Sequence, residues 1–600
     1  MNRFIPLIIT IIGISHMLSS EETINPELEL LSKAGGIEEY ELKSNGLKVL
    51  LYPNDAMPVA TVMLTYKVGS RNEVNGVTGA THILEHMMFK GSKSFPRSNN
   101  MDYSSQMERI GARSNATTSY DRTNYYATLP KNQVALAIEL EADRLRGLQL
   151  KKSDLDSEMV VVKNEYELRE NNPYETLFKK IFETAFEVHP YHHPIIGWES
   201  DIEAITVEKL KVFYNTYYWP NNAVLSVIGG FDRASTLKAI KEYFGPIPRS
   251  PEPIPQLNVI EPKQEAARHV DVRRAGKVGA VMVTHKIPHG THSDWADILL
   301  ISELLSADKV GRLYRVLDDK GLASTSFVFP RRLKDPSLII LGAALTETSS
   351  HESIQAIILN EINVLIDKGV SKNELDRARS VLLNDKIYAQ DGSYSIADDL
   401  NDAIAIGDWK DYLELSKSLK SVTVESIQEV ARKYFIEATR TTGWFIPTTS
   451  TTAVSGNEIS ALDPYYYKAP ESNNQTQENA DRPEVEFTPF IKSFTLSGVD
   501  VTTIKIPVPG VVSFVGSIAA GDFQSPDVSP LLADITAEML DKGTLNKNRF
   551  EISELLDASG MKLKFASNIH ALEFKGKFLK KDSEALISIL AEQLKTPLFD

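Results

Sequence analysis

The chain reads as an α+β protein built from repeated layered αβ domains, each an antiparallel-rich sheet with packed helices. Three observations predict this. Six hundred residues exceed one ordinary domain and suggest three or four. Strand-like and helix-like segments intermix along the chain instead of segregating. Past residue 485 the pattern begins again, as an internal repeat. Hydrophobic residues at 42% are ample for large cores, and 24% charged residues are ordinary for a protein in water. A net charge of −15 without any basic block argues against nucleic acid as a partner.

Residues 1–20 have the form of an export signal. Asn2-Arg3 gives a positive start, and the apolar run Phe4 to Ile14 is shorter than the about 20 residues a membrane span needs. Cleavage after Ser20 is expected, leaving no stable membrane insertion; a retained anchor is the alternative. There is no cysteine. That excludes a thiol nucleophile, a thiolate metal ligand and lipid attachment at a cysteine. It fits a large exported bacterial protein, periplasmic or secreted.

Residues 36–252 are expected to form the first domain. Tyr40 to Leu42 and Leu47 to Tyr52 read as strands joined at Asn45-Gly46, a good hairpin turn. Val59 to Val68 reads as a strand, Gln133 to Leu148 as an amphipathic helix, and Asn222 to Gly229 as an apolar strand. Proline-rich Pro248 to Pro255 marks the boundary to a second αβ domain, 253–447, with a strand at Val278 to Val283 and a helix at Ile354 to Lys368. Residues 448–485 are rich in Ser, Thr, Asn, Gln, Glu and Pro and read as a linker. Residues 486–600 form the third unit, with a helix expected at Ser583 to Lys595.

Chemistry concentrates in Thr81 to Gly91. His82 and His86 stand four apart, so on a helix they share a face. Two imidazoles so placed can grip one Zn²⁺ and leave room for a third protein ligand and a water. Glu85 projects near the same face and can take a proton from that water. The order His-x-x-Glu-His inverts the commoner zinc-protease helix and defines the inverzincin motif. A carboxylate is the natural third ligand, and Asp156 to Glu167 supplies candidates on a helix expected from about Asp156 to Arg169, capped by Ser153 or Asp154. Glu158 and Glu165 are seven apart and share a face. The plain alternative is an exposed acidic stripe, the usual fate of glutamates. His189, His192 and His193 have helical spacing, but Pro190 and Pro194 break any helix there, so they read as a loop.

The motif His82-x-x-Glu85-His86, with Glu165 seventy-nine residues after His86, resembles the pitrilysin/insulinase family of zinc metallopeptidases. Further stretches carry the same resemblance. They are Gly111 to Thr118 with Asp121-x-Thr123-x-Tyr125, Pro190 to Gly197, Tyr217 to Ala223, and Gly311 to Tyr314. The resemblance implies His82, His86 and Glu165 as ligands to one Zn²⁺ and Glu85 as general base, with Glu158 supporting the site from behind the ligands. It further implies that Asn115, Ala116 and Thr117, on an edge strand, bind peptide substrates by backbone strand addition. The expected activity is endopeptidase hydrolysis of peptides or small unfolded proteins; a non-catalytic or partner-dependent subunit of a peptidase complex is the alternative.

In that family two homologous halves form a clamshell chamber, and the final domain supplies an arginine and a tyrosine to the substrate. Here Lys542-Gly543-Thr544 echoes Lys90-Gly91-Ser92, which sets Asp534, Ala537 and Glu538 against His82, Glu85 and His86. The third domain is therefore expected to be an inactive repeat of the first. The second half is expected to be incomplete, with the missing part or a partner subunit supplying the arginine and tyrosine.

Overall fold

Strand β1 (Leu28–Ala34) pairs antiparallel with β2 (Ile37–Leu42), so the first sheet starts ahead of residue 36. These strands come from a computed structural model, which describes residues 28–54, 59–448, 491–505, 510–524, 529 and 531–599. The export segment lies outside the described residues, as does nearly all of the 448–485 linker with Tyr465 to Tyr467.

Asn45-Gly46 turns β2 into β3 (Leu47–Pro53), with Gly46 at φ 79°, a left-handed conformation that suits glycine. Buried Asn45 fastens that turn by donating from Nδ2 to the carbonyls of Phe244 (2.8 Å) and Ile247 (2.9 Å). The sheet is completed by β4 (Val59–Tyr66), β5 (Arg113–Thr118), β6 (Thr123–Pro130) and β7 (Ala223–Gly229). Its order is β1-β2-β3-β7-β4-β6-β5, antiparallel except for the β3–β7 pair. Strand β5 therefore forms one edge.

The helices among the described residues of this part are α1 (Ala80–Met87), α2 (Tyr103–Arg109), α3 (Val134–Gly147), α4 (Lys152–Glu170), α5 (Pro173–Ala185), α6 (Glu199–Glu203), α7 (Val207–Tyr217) and α8 (Arg233–Phe244). Ile83, Leu84 and Met87 of α1, Ile138 and Leu145 of α3, and Leu210 of α7 pack with Val62, Leu64 and Leu225 of the sheet into one core.

The second sheet, ordered β10-β11-β9-β12-β8, uses β8 (Arg268–Ala275), β9 (Ala280–Ile287), β10 (Ala323–Pro330), β11 (Ser337–Leu345) and β12 (Arg440–Thr448). Its helices are α9 (Trp295–Ser306), α10 (His351–Lys368), α11 (Lys372–Ala389), α12 (Ser393–Ile406), α13 (Asp411–Ser421) and α14 (Val424–Tyr434).

The two units exchange cover. Leu177, Ile181 and Phe182 of α5 pack on Met282, Ile340 and Phe445 of the second sheet. In return, Ile396, Ala397, Leu400 and Ile404 of α12 cover Leu50, Met63 and Ile228 of the first. Thr61 bonds Ser393 across that contact at 2.8 Å.

In the third unit, β13 (Ile491–Leu496) and β14 (Val499–Ile504) form a separate hairpin. Strands β15 (Val511–Ile518), β16 (Lys562–Ser567) and β17 (Leu572–Leu579) pair in the order β15-β17-β16, repeating β4-β6-β5. Helix α15 (Leu532–Met539) precedes α16 (Arg549–Ala558) and α17 (Ser583–Lys595). Asp534, Ala537 and Glu538 stand at the same places in α15 as His82, Glu85 and His86 in α1.

Candidate metal centre

Helix α1 is short, and its start is fixed from outside. Gly79 stands before it at φ 86°, where a Cβ would lie 2.4 Å from the Ile196 carbonyl oxygen, so only glycine fits. Buried Glu73 accepts from the N–H groups of Gly79 (2.8 Å) and Thr81 (2.7 Å), satisfying donors that a helix start leaves unpaired. Burial pushes the Glu73 carboxyl up to about 8, against the two N–H bonds. Ile83, Leu84 and Met87 are buried and lock the helix rotation. His82, Glu85 and His86 then turn together toward α4.

Helix α4 runs from Lys152, earlier than its acidic pattern suggests, and neither Ser153 nor Asp154 caps it. Its buried residues are Leu155, Glu158 and Val162, and the same stripe continues to Glu165. Two glutamates thus lie on the packed face of this helix instead of an exposed one.

His82 Nε2 lies 3.5 Å and His86 Nε2 3.7 Å from the same Glu165 carboxylate oxygen. The three ligand atoms all fall within 4.8 Å of one another, the one such group among the described residues. Tetrahedral zinc with bonds of about 2.0–2.1 Å sets its ligand atoms roughly 3.3–3.4 Å apart. The donor set therefore fits a zinc ion in its chemistry, and the two histidine–Glu165 spacings lie close to those values.

Neighbouring groups hold these three in place. His86 Nδ1 and Glu158 Oε1 are 2.9 Å apart, which leaves Nε2 for the shared point. Lys90 pairs with the other Glu158 oxygen. Burial raises the Glu158 pKa, but the bonds from His86 and Lys90 outweigh it and hold the carboxyl below its usual range. Arg169 Nη2 donates to Glu165 Oε1 at 2.8 Å, leaving Oε2 toward the histidines. Burial lowers His82 to about 4, so that ring is neutral near pH 7. For His86 burial also acts downward, but the Glu158 bond and nearby carboxylates carry it above the usual histidine value.

Glu85 receives a hydrogen bond from the Thr118 hydroxyl at 2.5 Å, and burial raises its pKa. Thr118 is the last residue of β5, so the sheet edge and Glu85 are directly joined. Asn115 is exposed, Ala116 is buried, and Thr117 donates to Asn124 Oδ1 at 2.5 Å. A groove of about 540 Å³ runs beside this strand, lined by Phe89, Met107, Ala112 and Asn115.

The residues at 189–193 form a short turn, with His193 Nδ1 3.9 Å from Glu73 Oε2. His189 bonds Asp335 at 3.0 Å, and no metal-ligand group includes any of the three histidines among the described residues. Sequence reasoning missed Thr118, Lys90, Arg169 and Glu73. Lys90 and Arg169 carried a usable signal, each four residues from His86 or Glu165; Thr118 and Glu73 meet the site only through the fold.

Comparison with known proteins gives a concordant result. A family model described as Insulinase (Peptidase family M16) matches residues 48–199, and one described as Peptidase M16 inactive domain matches 204–382. The zinc protease PqqE of Helicobacter pylori is 30% identical over 408 residues, which cover 67% of this chain and 91% of that protein. The chain belongs to the insulinase (M16) peptidase family. A crystal structure of a protease from Helicobacter pylori matches with a TM-score of 0.65 at 30% identity, covering 70% of this chain and all of that one. The periplasmic protease PqqL of Escherichia coli shares the fold at 17% identity and a TM-score of 0.57, covering 95% of this chain and 67% of that one. As a member of this zinc protease family, the chain is assigned to the metal-dependent peptidases. No helix among the described residues is long and apolar enough to cross a membrane.

Proposed function

We propose that this chain is an exported zinc endopeptidase that cuts peptides or small unfolded proteins. The observation that carries the reading is the convergence of His82, His86 and Glu165 within 4.8 Å, with Glu85 beside them on α1.

His82 Nε2, His86 Nε2 and Glu165 Oε2 would hold the zinc, which supplies Lewis-acid polarisation of the scissile carbonyl and makes a bound water more acidic. Glu85 takes the proton of the attacking water and returns it to the leaving amine. Its buried setting raises the pKa toward that task, while the Thr118 hydroxyl fixes one carboxylate oxygen and leaves the other for the water. Glu158 sets the His86 tautomer, because its bond to Nδ1 keeps the Nε2 lone pair free.

An extended peptide pairs with the free edge of β5 along Asn115, Ala116 and Thr117. Backbone bonds then supply most of the affinity, which gives broad sequence tolerance. Side chains of the peptide enter the groove lined by Phe89 and Met107. Residues 1–20 serve as the export signal, so the mature N-terminus found by sequencing should be Glu21.

The test is hydrolysis of a quenched fluorescent peptide by the zinc-loaded protein beside Glu85→Gln. Glu85→Gln should bind zinc equally and lose roughly 10²-fold or more in kcat. Equal activity in Glu85→Gln would remove it from the reaction. Activity only with a further domain or partner chain would assign part of the substrate contacts there.

A further inference from the structure

A cavity of about 690 Å³ opens where β4 leaves the first sheet and β7 enters it. Residues 250–256 of the proline-rich connection form one wall, and Lys334, in the turn between β10 and β11, forms another. The first domain, the second domain and the segment joining them therefore all border one space. None of His82, His86 and Glu165 lines it.

The charges lining it do not balance locally. Among the described residues, the Lys67 ammonium, the Lys334 ammonium and the Arg249 guanidinium have no ion-pair or hydrogen-bond partner. Of the other charged lining groups, Arg71 and Asp121 are committed. Arg71 pairs with Asp335, Nε to Oδ2, at 2.5 Å. Asp121 is buried and accepts from the Tyr191 hydroxyl (2.8 Å) and the Lys334 backbone N–H (2.9 Å). Glu252, exposed like Lys67 and Arg249, offsets one of the three positive charges, and Glu41 acts on Arg249 from beyond the wall. Asn72 and Asn221 add polar amide groups to the wall.

Like charges brought together on one concave wall repel. Lys67 and Arg249 are exposed and Lys334 is half-buried. Partial desolvation of the ammonium, with the Lys334 and Lys48 charges, lowers the Lys67 pKa, against Asp408 and Glu39. A cation held beside another cation in a concave wall is stabilised when an anion enters between them. The volume lies within the range of small-molecule sites, far above what one water or chloride fills.

We propose that this cavity binds a small multivalent anion, phosphate-bearing or dicarboxylate, through Lys67, Lys334 and Arg249. Such an anion ties the first domain to the second at their connecting segment, so its binding stabilises the pair against thermal unfolding. The inference is independent of the peptidase reading, since it uses none of the residues assigned there.

Isothermal titration of the zinc-loaded full chain with inorganic phosphate and with succinate, at ionic strength held constant with sodium chloride, tests it. The expected result is saturable one-site binding of at least one of them. Lys67→Gln and Lys334→Gln should each weaken it by roughly ten-fold, and Lys372→Gln, exposed on α11 and paired with Asp376, should leave it unchanged. Phosphate alone binding would name a phosphate-bearing ligand; succinate alone would name a dicarboxylate. Binding of neither anion above chloride would overturn the proposal. So would affinities unaltered in both Lys67→Gln and Lys334→Gln, and either single variant is enough for the decision if the other fails to fold.

Discussion

At the scale of single residues, the centre depends on groups that hold the ligands as much as on the ligands. Thr118 is the clearest case, because its hydroxyl is the hydrogen-bond donor given to Glu85. Thr118→Val keeps the shape of the strand and removes that donor. It should lower kcat by roughly 10–100-fold with zinc content unchanged, and Thr118→Ser should restore most of the loss. A Thr118→Val enzyme with full kcat would show that Glu85 needs no such orientation. Glu158→Gln should act differently. It leaves the Glu165 side intact but removes the charge that pairs with Lys90 and weakens the hold on His86 Nδ1, so metal affinity should fall about 10–100-fold in competition with a chelator.

At the scale of elements, close packing between α5 and β12 joins the first two units. A Cβ at Gly443 would lie 2.8 Å from Leu177 Cδ1 and 2.9 Å from Ile181 Cγ1. Gly443→Ala should therefore cost about 1–3 kcal/mol in urea unfolding, with zinc stoichiometry unaffected in the folded fraction. Unaltered stability would mean that α5 can shift without loss.

The same scale shows what the sequence made legible. Helix α1 was readable because four-residue spacing of His82 and His86 is a property of any helix. The Asn45-Gly46 turn and helix α17 were readable from local chemistry alone. The roles of Glu158 and Glu165 needed the family resemblance, since an acidic helix is usually exposed. The Thr118–Glu85 contact joins residues 33 apart and follows from strand order, which no local pattern encodes. Exchange of α5 and α12 between sheets was equally hidden, because an amphipathic helix does not announce which sheet it covers.

At the scale of the whole molecule, the third unit docks on the second through α11 and α16. Asn384 Nδ2 donates to the Ser559 carbonyl at 2.7 Å, and the Tyr388 hydroxyl donates to the Gly560 carbonyl at 2.8 Å. Two acids in this region are pushed up: Glu303 to about 7 and Asp557 to about 6. Burial is the main cause in both; the Asp557 and Asp385 carboxylates add to it at Glu303, and the Asp308 and Asp385 carboxylates at Asp557. Arg377 and Lys562 oppose the shift at Glu303, and Arg377 and Lys309 oppose it at Asp557. An acid whose folded pKa is raised favours the folded form below its unfolded pKa, near 4, and loses that contribution as pH rises through the folded value. Docking should therefore weaken between about pH 4 and pH 7. The protection of α16 amides, after division by their intrinsic exchange rates, should fall over that window, and Glu303→Gln should flatten the dependence; protection that is independent of pH would rule the two acids out.

The reading of the whole chain rests on one metal held by α1 and α4. The most direct measurement is zinc content by atomic spectroscopy on the purified full chain, beside Glu165→Gln and a protein with Asp534 and Glu538 both changed to Ala. One zinc per chain, lost in Glu165→Gln and kept when the third-unit pair is changed, is the predicted result. Zinc retained in full by Glu165→Gln, or lost only when the third-unit pair is changed, would contradict it.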